Sequence, residues 1–427
     1  MCDGTSANQE IEPYSCPVPI HWWLGFALQY QDGFKGKSQY RTLSQFQFNG
    51  LIPPNWYTTG KWEGIYEIDG DVLGIRIDLS QHDVRHIPDS LSYLTSLEQL
   101  ELAAKSKATS IHSLTKLPDS IGSCIHLTDL NVSFNQLTSL PDSMSNLLSM
   151  IELCVHFNQI TCLPDWIGSF EQLEILNIRN NQLTCLPEAL FQCKNLNELY
   201  VSYNQLTCLP EALFQCESLN ELDVSHNQLT SLTESLCQCY YLRNLYASHN
   251  RLTSLPESLY QCESLQELNV SHNQLTCLPE SISRFYRLYR LDISYNQLTF
   301  LPDSISEHGA RGFHLSNNLL TSLPESFWNL NSETIDISNN LLTSLPKFTK
   351  SSYLVDLCVN HNQLTTLSSS MMHKCSDLRF LNAGNNRIAW LPEDFFCRRT
   401  LEQFEIGNNP ISNDPNEVAE QPKYETR

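Results

Sequence analysis

Long apolar runs are missing from this chain. The first strongly apolar stretch, Trp22 to Leu28, is seven residues long, against the roughly 20 that a membrane helix needs. No Lys or Arg precedes Lys35, so the basic start and longer apolar core of a secretory leader are not recognisable. Positive charge is scarce throughout: 26 Lys and Arg against 47 Asp and Glu leave a net charge of −21 over 427 residues. That balance excludes a nucleic-acid binder, which works by neutralising phosphates. With 41% hydrophobic residues the chain is too apolar for disorder. No phosphate loop, kinase glycine loop, H-E-x-x-H pair or G-x-S-x-G elbow occurs. No catalytic residue, cofactor or metal site is therefore assigned. The 16 Cys fall short of the roughly 8–10% that marks a disulfide scaffold, and no C-x-x-C pair has a second pair to complete a zinc site.

What is abundant is a single phrase, as in Leu176-Asn177-Ile178-Arg179-Asn180-Asn181-Gln182-Leu183-Thr184-Cys185-Leu186-Pro187. Its Asn returns at Asn135, Asn158, Asn181, Asn204, Asn227, Asn250, Asn273, Asn296, Asn318, Asn340, Asn362, Asn386 and Asn409, at intervals of 22 to 24 residues. His82 and Lys105 hold the same slot in two earlier turns, giving 15. The alternating apolar residues point one way from a short strand, and a turn this small buries them only when neighbours stack on both sides. Fourteen strand spacings of about 4.8 Å predict an inner arc of about 65–70 Å. The repeated Asn is read as a buried amide ladder satisfying backbone groups in the turn after each strand.

These units resemble the L-x-x-L-x-L-x-x-N-x-L motif of the leucine-rich repeat family over residues 75–411. The resemblance implies an α/β solenoid of about 15 turns. Its concave face would be a parallel β-sheet and its convex face short helical or 3-10 segments. Trp62-Glu63-Gly64-Ile65, followed by Gly70 to Ile75, is similar to the N-terminal cap of plant-type, archaeal and bacterial members. The expected division is an extension or minor domain at 1–58, a cap at 59–74, the solenoid at 75–411 with a protruding loop near 103–115, and a frayed tail at 412–427.

Pro follows the Leu in 12 of 14 turns, Thr233 and Ser368 being the departures, and an acid follows in 12 of 14. Both residue types suit a helix start, because the ring pre-sets φ and the carboxylate meets the positive dipole end. Those acids, Asp89 through Glu393, are therefore no sign of a basic partner. The Cys also sort into columns. Cys124, Cys193, Cys216, Cys239, Cys262 and Cys375 share a slot that elsewhere holds Leu147, Phe170 and Phe285, so core packing is their reading, with disulfides or a metal ladder as alternatives. Cys162, Cys185, Cys208 and Cys277 share another slot, two residues before Pro.

The concave face carries the functional reading. Six or four residues before the ladder stand 12 acids, among them Asp129, Glu152, Glu198, Glu221, Asp223, Glu267 and Asp292; even with the position two before the ladder added, the bases are only Arg76, Arg179 and Arg290. One residue before the ladder run Phe134, Phe157, Asn180, Tyr203, His226, His249, His272 and Tyr295, with Tyr200 and Tyr246 expected on the same face. Aromatics among acids suit a protein-binding surface. The three His read as a surface ladder, with a pH-sensitive edge or a metal as alternatives. Asn131 and Asn269 fit a glycosylation sequon but fall in strands, so they follow from the repeat consensus.

The expected function is a non-catalytic scaffold or adaptor that binds a protein or peptide with a basic contact surface, with no nucleic acid and no membrane span. Similar short L-P repeats occur in intracellular scaffolds that bind small GTPases and phosphatases. The 22-residue spacing from Asn296 to Asn362 also looks like that of secreted bacterial effector ligases, whose catalytic Cys sits in a separate C-terminal domain. The alternative is thus the substrate-recognition part of an effector or signalling regulator whose catalytic domain is absent or on another chain. No Cys lies between Cys16 and Cys124 or after Cys397, which favours a reducing, cytoplasmic setting over export by an unrecognised route.

Overall fold

A computed structural model describes residues 65–68, 71–78, 87, 89–103, 114–285, 287–307, 310–330, 332–392, 395 and 401–411. The extension at 1–58, the slots of His82 and Lys105, most of the expected loop at 103–115 and the tail at 412–427 lie outside the described residues. Strands β1 (Ile65–Ile68) and β2 (Asp71–Asp78) form an antiparallel hairpin, so β2 begins inside the expected cap. From β2 to β16 (Gln403–Glu405) every strand pairs in parallel with the next in chain order, one 16-stranded sheet in all. The central strands are β6 (Ile175–Asn177), β7 (Glu198–Tyr200), β8 (Glu221–Asp223), β9 (Asn244–Tyr246), β10 (Glu267–Asn269) and β11 (Arg290–Asp292). Each is three residues long, and its middle Leu is buried: Leu176, Leu199, Leu222, Leu245, Leu268, Leu291.

The return path is a one-turn 3-10 helix in most turns. Pro is its cap rather than part of its first turn: Pro118 (φ −73°) and Pro210 (φ −64°) both have extended backbone and precede the helical acid. The two departures are hydroxyl residues that cap with their side chains. Thr233 accepts from the N–H of Ser235 at 3.3 Å and Ser368 from that of Ser370 at 3.2 Å. Ser368 opens a full α-helix, α1 (Ser369–Lys374). The helical acids also stitch turns together: the hydroxyls of Ser281 and Ser304 each donate at 2.8 Å to the carboxylate of the preceding turn, Glu257 and Glu280.

Leu columns fill the interior, and the first Cys column joins them. Cys124, Cys193, Cys216, Cys239, Cys262 and Cys375 are all buried beside Leu147 and Phe170, as unbridged thiols. The slot favours a small apolar side chain, which a thiol supplies. Cys162, Cys185, Cys208 and Cys277 are exposed. Between β13 (Thr334–Asp336) and β14 (Asp356–Cys358) the helix is replaced by an aromatic wedge. Trp328, from the helix of the preceding turn, stacks on Phe348 at 4.0 Å and donates to the carbonyl of Pro346 at 2.7 Å, beside Lys347, which takes the acid's place.

Candidate functional site: the concave face and the trailing edge of the sheet

The strand registers set two lateral rows of side chains on the concave face. One runs Asp129, Glu152, Ile175, Glu198, Glu221, Asn244, Glu267, Arg290; the other Asn131, Cys154, Asn177, Tyr200, Asp223, Tyr246, Asn269, Asp292. Tyr200 and Tyr246 thus stand directly among the acids. Tyr200 donates to Glu198 at 2.9 Å, Tyr246 to Glu267 at 3.0 Å, and the amide of Asn244 to Glu221 at 3.1 Å. The guanidinium of Arg179 lies 5.4 Å from the centre of the Tyr200 ring. Burial raises the pKa of Glu198, the Tyr200 hydrogen bond opposes that rise, and Glu221 and Glu152 add to it. Burial and the charges of Glu221 and Glu198 likewise raise Tyr200.

The second row has a local duty that the acid tally missed. Asp223 accepts from the N–H of Ser225 at 3.0 Å and from its hydroxyl at 2.6 Å, and Asp292 holds Ser294 in the same way at 3.1 and 2.6 Å. Asn131 and Asn269 make the same two bonds to Ser133 and Ser271. These residues tie off the ends of their strands. The D/N-x-S spacing was the available signal. These Ser bonds fix the second-row acids without cancelling their charge, and on the first row no ion pair reaches Glu198, Glu221 or Glu267 among the described residues.

The ring column stands elsewhere. Phe134, Phe157, Tyr203, His226, His249, His272 and Tyr295 follow their strands by three residues and adopt φ between 51° and 56°. Asn180 shares that backbone at 55°. This left-handed turn carries the column off the strand face to the trailing edge, where strands feed the ladder. There the rings stack: Tyr203 on His226 at 3.9 Å, then His226 on His249, His249 on His272 and His272 on Tyr295 at 4.0 Å each. Phe134 and Phe157 form a separate pair at 4.4 Å. Stacking offsets the strain that a left-handed backbone imposes on aromatic residues. It also covers the ring faces, so only the edges, with their hydroxyls and ring nitrogens, meet solvent. A groove of ≈ 920 Å³ runs beside the column from Phe134 to His249, and a second of ≈ 630 Å³ continues to Asn317.

The groove floor is the Asn ladder. Asn135, Asn158, Asn181, Asn204, Asn227, Asn250, Asn273, Asn296, Asn318, Asn340, Asn362 and Asn386 are buried, and each donates to backbone carbonyls of its own and the preceding turn. Asn409 does so at the last turn, partly exposed. Among the described residues no group of His, Cys, Asp and Glu is arranged to hold a metal ion, and no helix is long and apolar enough to cross a membrane. The stacked geometry accounts for the first point, because parallel imidazole planes do not aim their lone pairs at one shared point.

A repetitive parallel sheet, a buried Asn ladder and 3-10 returns define a solenoid of the protein-interaction class. The Leucine rich repeat profile matches residues 171–229, 217–275 and 240–298, and a second Leucine Rich Repeat profile matches 126–147. A leucine-rich repeat protein of Leptospira interrogans is 30% identical, over 80% of this chain and 86% of that one, with a TM-score of 0.70. The chain belongs to the leucine-rich repeat family. The leucine-rich effector YopM of Yersinia pestis is 24% identical, over 88% of this chain and 100% of its own, with a TM-score of 0.61. Toll, from the Toll–Spatzle complex of Drosophila, is 23% identical, over 77% of this chain and 50% of its own, with a TM-score of 0.60. These last two show the shared fold. No curated protein matches the chain.

Proposed function

We propose that the chain is a non-catalytic scaffold or adaptor that holds a basic protein or peptide segment against the acidic row of its concave face. The observation that supports this most is the set Glu198, Glu221 and Glu267. Their partners within the chain are neutral hydroxyl and amide groups, so the charge is held in place but not cancelled. Glu198 and Glu221 sit on adjacent strands, about 4.8 Å apart, a separation that a guanidinium or ammonium can bridge. A guest cation there relieves the repulsion that helps raise Glu198. Tyr246, half-buried, adds ring surface that is already ordered, which lowers the entropic cost of contact, whereas Tyr200 is buried and serves to hold Glu198. A cytoplasmic setting fits this reading, since every described Cys is an unbridged thiol.

The test compares the chain with a Glu198→Gln, Glu221→Gln, Glu267→Gln variant, which keeps shape and hydrogen bonding while removing charge. Both are used to capture proteins from the source cells at low and high salt. A partner retained by the wild type at low salt and lost by the folded variant supports the concave site. Equal capture by the two moves the binding surface elsewhere.

A further inference from the structure

The sheet has a second edge, where the chain enters each strand, and its chemistry is not used by the concave site. The residue just before each strand forms a row, locked in register by backbone bonds. Asn197 donates to Glu174, Asn220 to Asn197 and Arg243 to Asn220, each at 2.8 Å. Toward one end the row runs back through Ile151 and Thr128 to Glu98; toward the other it runs through Gln266 and Tyr289 to Arg311. Between Glu98 and Arg311 its charge is polarised, with acids Glu98 and Glu174 in the first half, amides Asn197 and Asn220 in the middle and bases Arg243 and Arg311 in the second half; beyond Arg311 the row goes on through Glu333, Val355, Arg379 and Glu402 with mixed charge. Glu98, Glu174, Arg243 and Arg311 are exposed. So are neighbouring apolar side chains, with Tyr240 61%, Tyr241 65%, Tyr289 53% and Ile151 38% exposed. Glu174 and Arg243 precede β6 and β9, three strand spacings or about 14 Å apart, too far to pair within one chain. Neither is in an ion pair among the described residues.

We propose that this leading edge binds a second copy of the same chain about a twofold axis that runs radially between β7 and β8. A radial axis lays one arc over the other and reverses the strand order. The residue preceding β6 then faces the residue preceding β9 of the second copy, and the residue preceding β3 (Gln99–Ala103) faces the one preceding β12 (Gly312–His314). Glu174 meets Arg243 of the second copy, Glu98 meets Arg311, and Asn197 meets Asn220, each contact occurring twice by symmetry. One column further out, exposed Lys194 and Glu217 are matched by the same operation. Moving the axis by half a strand spacing, onto β8, sets Glu98 against Glu333 and leaves Glu174 facing Gln266, so the charges select one register. Arg311 already pairs with Glu333 at 3.4 Å, but both side chains are about half exposed (61% and 48%) and such a pair exchanges readily.

Nine strand spacings give a patch about 43 Å long and one to two side chains wide. That is at the small end of specific interfaces, so the dimer is weak and concentration-dependent. The net charge of −21 makes salt act in two directions, screening both the repulsion between copies and the pairs that join them. Charge reversal is the cleaner probe.

Sedimentation velocity of the full chain over a range of concentrations tests the proposal, with circular dichroism to confirm folding of the exposed-site variants. The wild type shows a monomer–dimer equilibrium. Arg243→Glu alone and Glu174→Arg alone each weaken it by about tenfold or more, because each places like charges together twice. An equal mixture of the two variants restores association, since a mixed dimer pairs opposite charges at both sites. A chain that stays monomeric at every concentration, a dimer indifferent to Arg243→Glu, or a mixture that does not recover overturns it.

Discussion

The side-chain oxygen of Asn204 accepts the backbone N–H of Leu183, one turn back, at 3.0 Å. Its amide nitrogen donates to the carbonyls of Val201 at 3.0 Å and Ile178 at 3.1 Å. With the carbonyl of Ser202 at 3.3 Å, one residue therefore bonds four buried backbone groups in two turns. Asn204→Ala strands those groups, at about 1–3 kcal/mol for each that water does not reach. The expected loss is about 3 kcal/mol in urea unfolding, with a broader transition as the two halves of the stack uncouple. An unchanged midpoint would mean that the ladder is decorative.

Gly168 lies inside its turn's helix, Asp165–Ser169, against the next turn. A Cβ placed there meets the carbonyl of Ala189, whose carbon lies 2.9 Å away, and both are backbone atoms that cannot swing aside. Gly122 meets Ser143 in the same way. Gly168→Ala should therefore destabilise the chain by about 1–3 kcal/mol, although Ala is ordinarily the better helix former. Thermal denaturation decides between the two signs.

The repeat, the Asn ladder and the buried Cys column were legible because each is a one-letter column whose chemistry does not depend on its neighbours. The ring column was legible as a column but not in its place. Alternation assigns residues to strand faces, whereas β7 stops at Tyr200 and the left-handed backbone at Tyr203 turns the chain away. Asp223 and Asp292 looked like surface charge because their partners, Ser225 and Ser294, lie two residues on and were counted separately. The leading-edge row stayed hidden for the opposite reason: Glu174, Asn197, Asn220 and Arg243 differ from turn to turn, so no consensus marks them until backbone bonds align them.

Stability should fall in acid through the stacked imidazoles. Burial, then the neighbours His226 and His272, hold the pKa of His249 down to about 4, from an ordinary value near 6.5. Burial and Arg179 hold His156 at about 4. Burial also lowers His226 and His272, with Asp223 and Asp292 pulling the other way. For His249 and His156 the unfolded chain takes up the proton near pH 6.5 and the folded chain only near 4, so their share of the stability is complete above about 6.5 and is lost as pH falls toward 4. Glu198 and Asp356, raised by burial, act in the opposite sense. The comparison is therefore with His249→Asn, a residue that already holds this slot at Asn180 and Asn317 with φ of 55° and 57°. Its melting temperature should drop less between pH 7.5 and 5 than that of the wild type. Equal drops would place the acid sensitivity outside the column.

The two Cys columns should separate chemically. Burial pushes the thiol of Cys193 up to about 11 and those of Cys124 and Cys239 up to about 12, and the thiolate is the reactive form. Cys162, Cys185, Cys208 and Cys277 are exposed. Iodoacetamide at pH 8, read by peptide mass spectrometry, should label those four in the native chain. It should reach Cys193, Cys216 and Cys262 only after denaturant is added. Because a solenoid can open one turn at a time, the slow column reports local opening rather than global unfolding. Labelling of Cys216 as fast as that of Cys208 in the native chain would mean that the turns around β8 separate freely, and a concave site that depends on Glu198 and Glu221 staying in register would not survive that result.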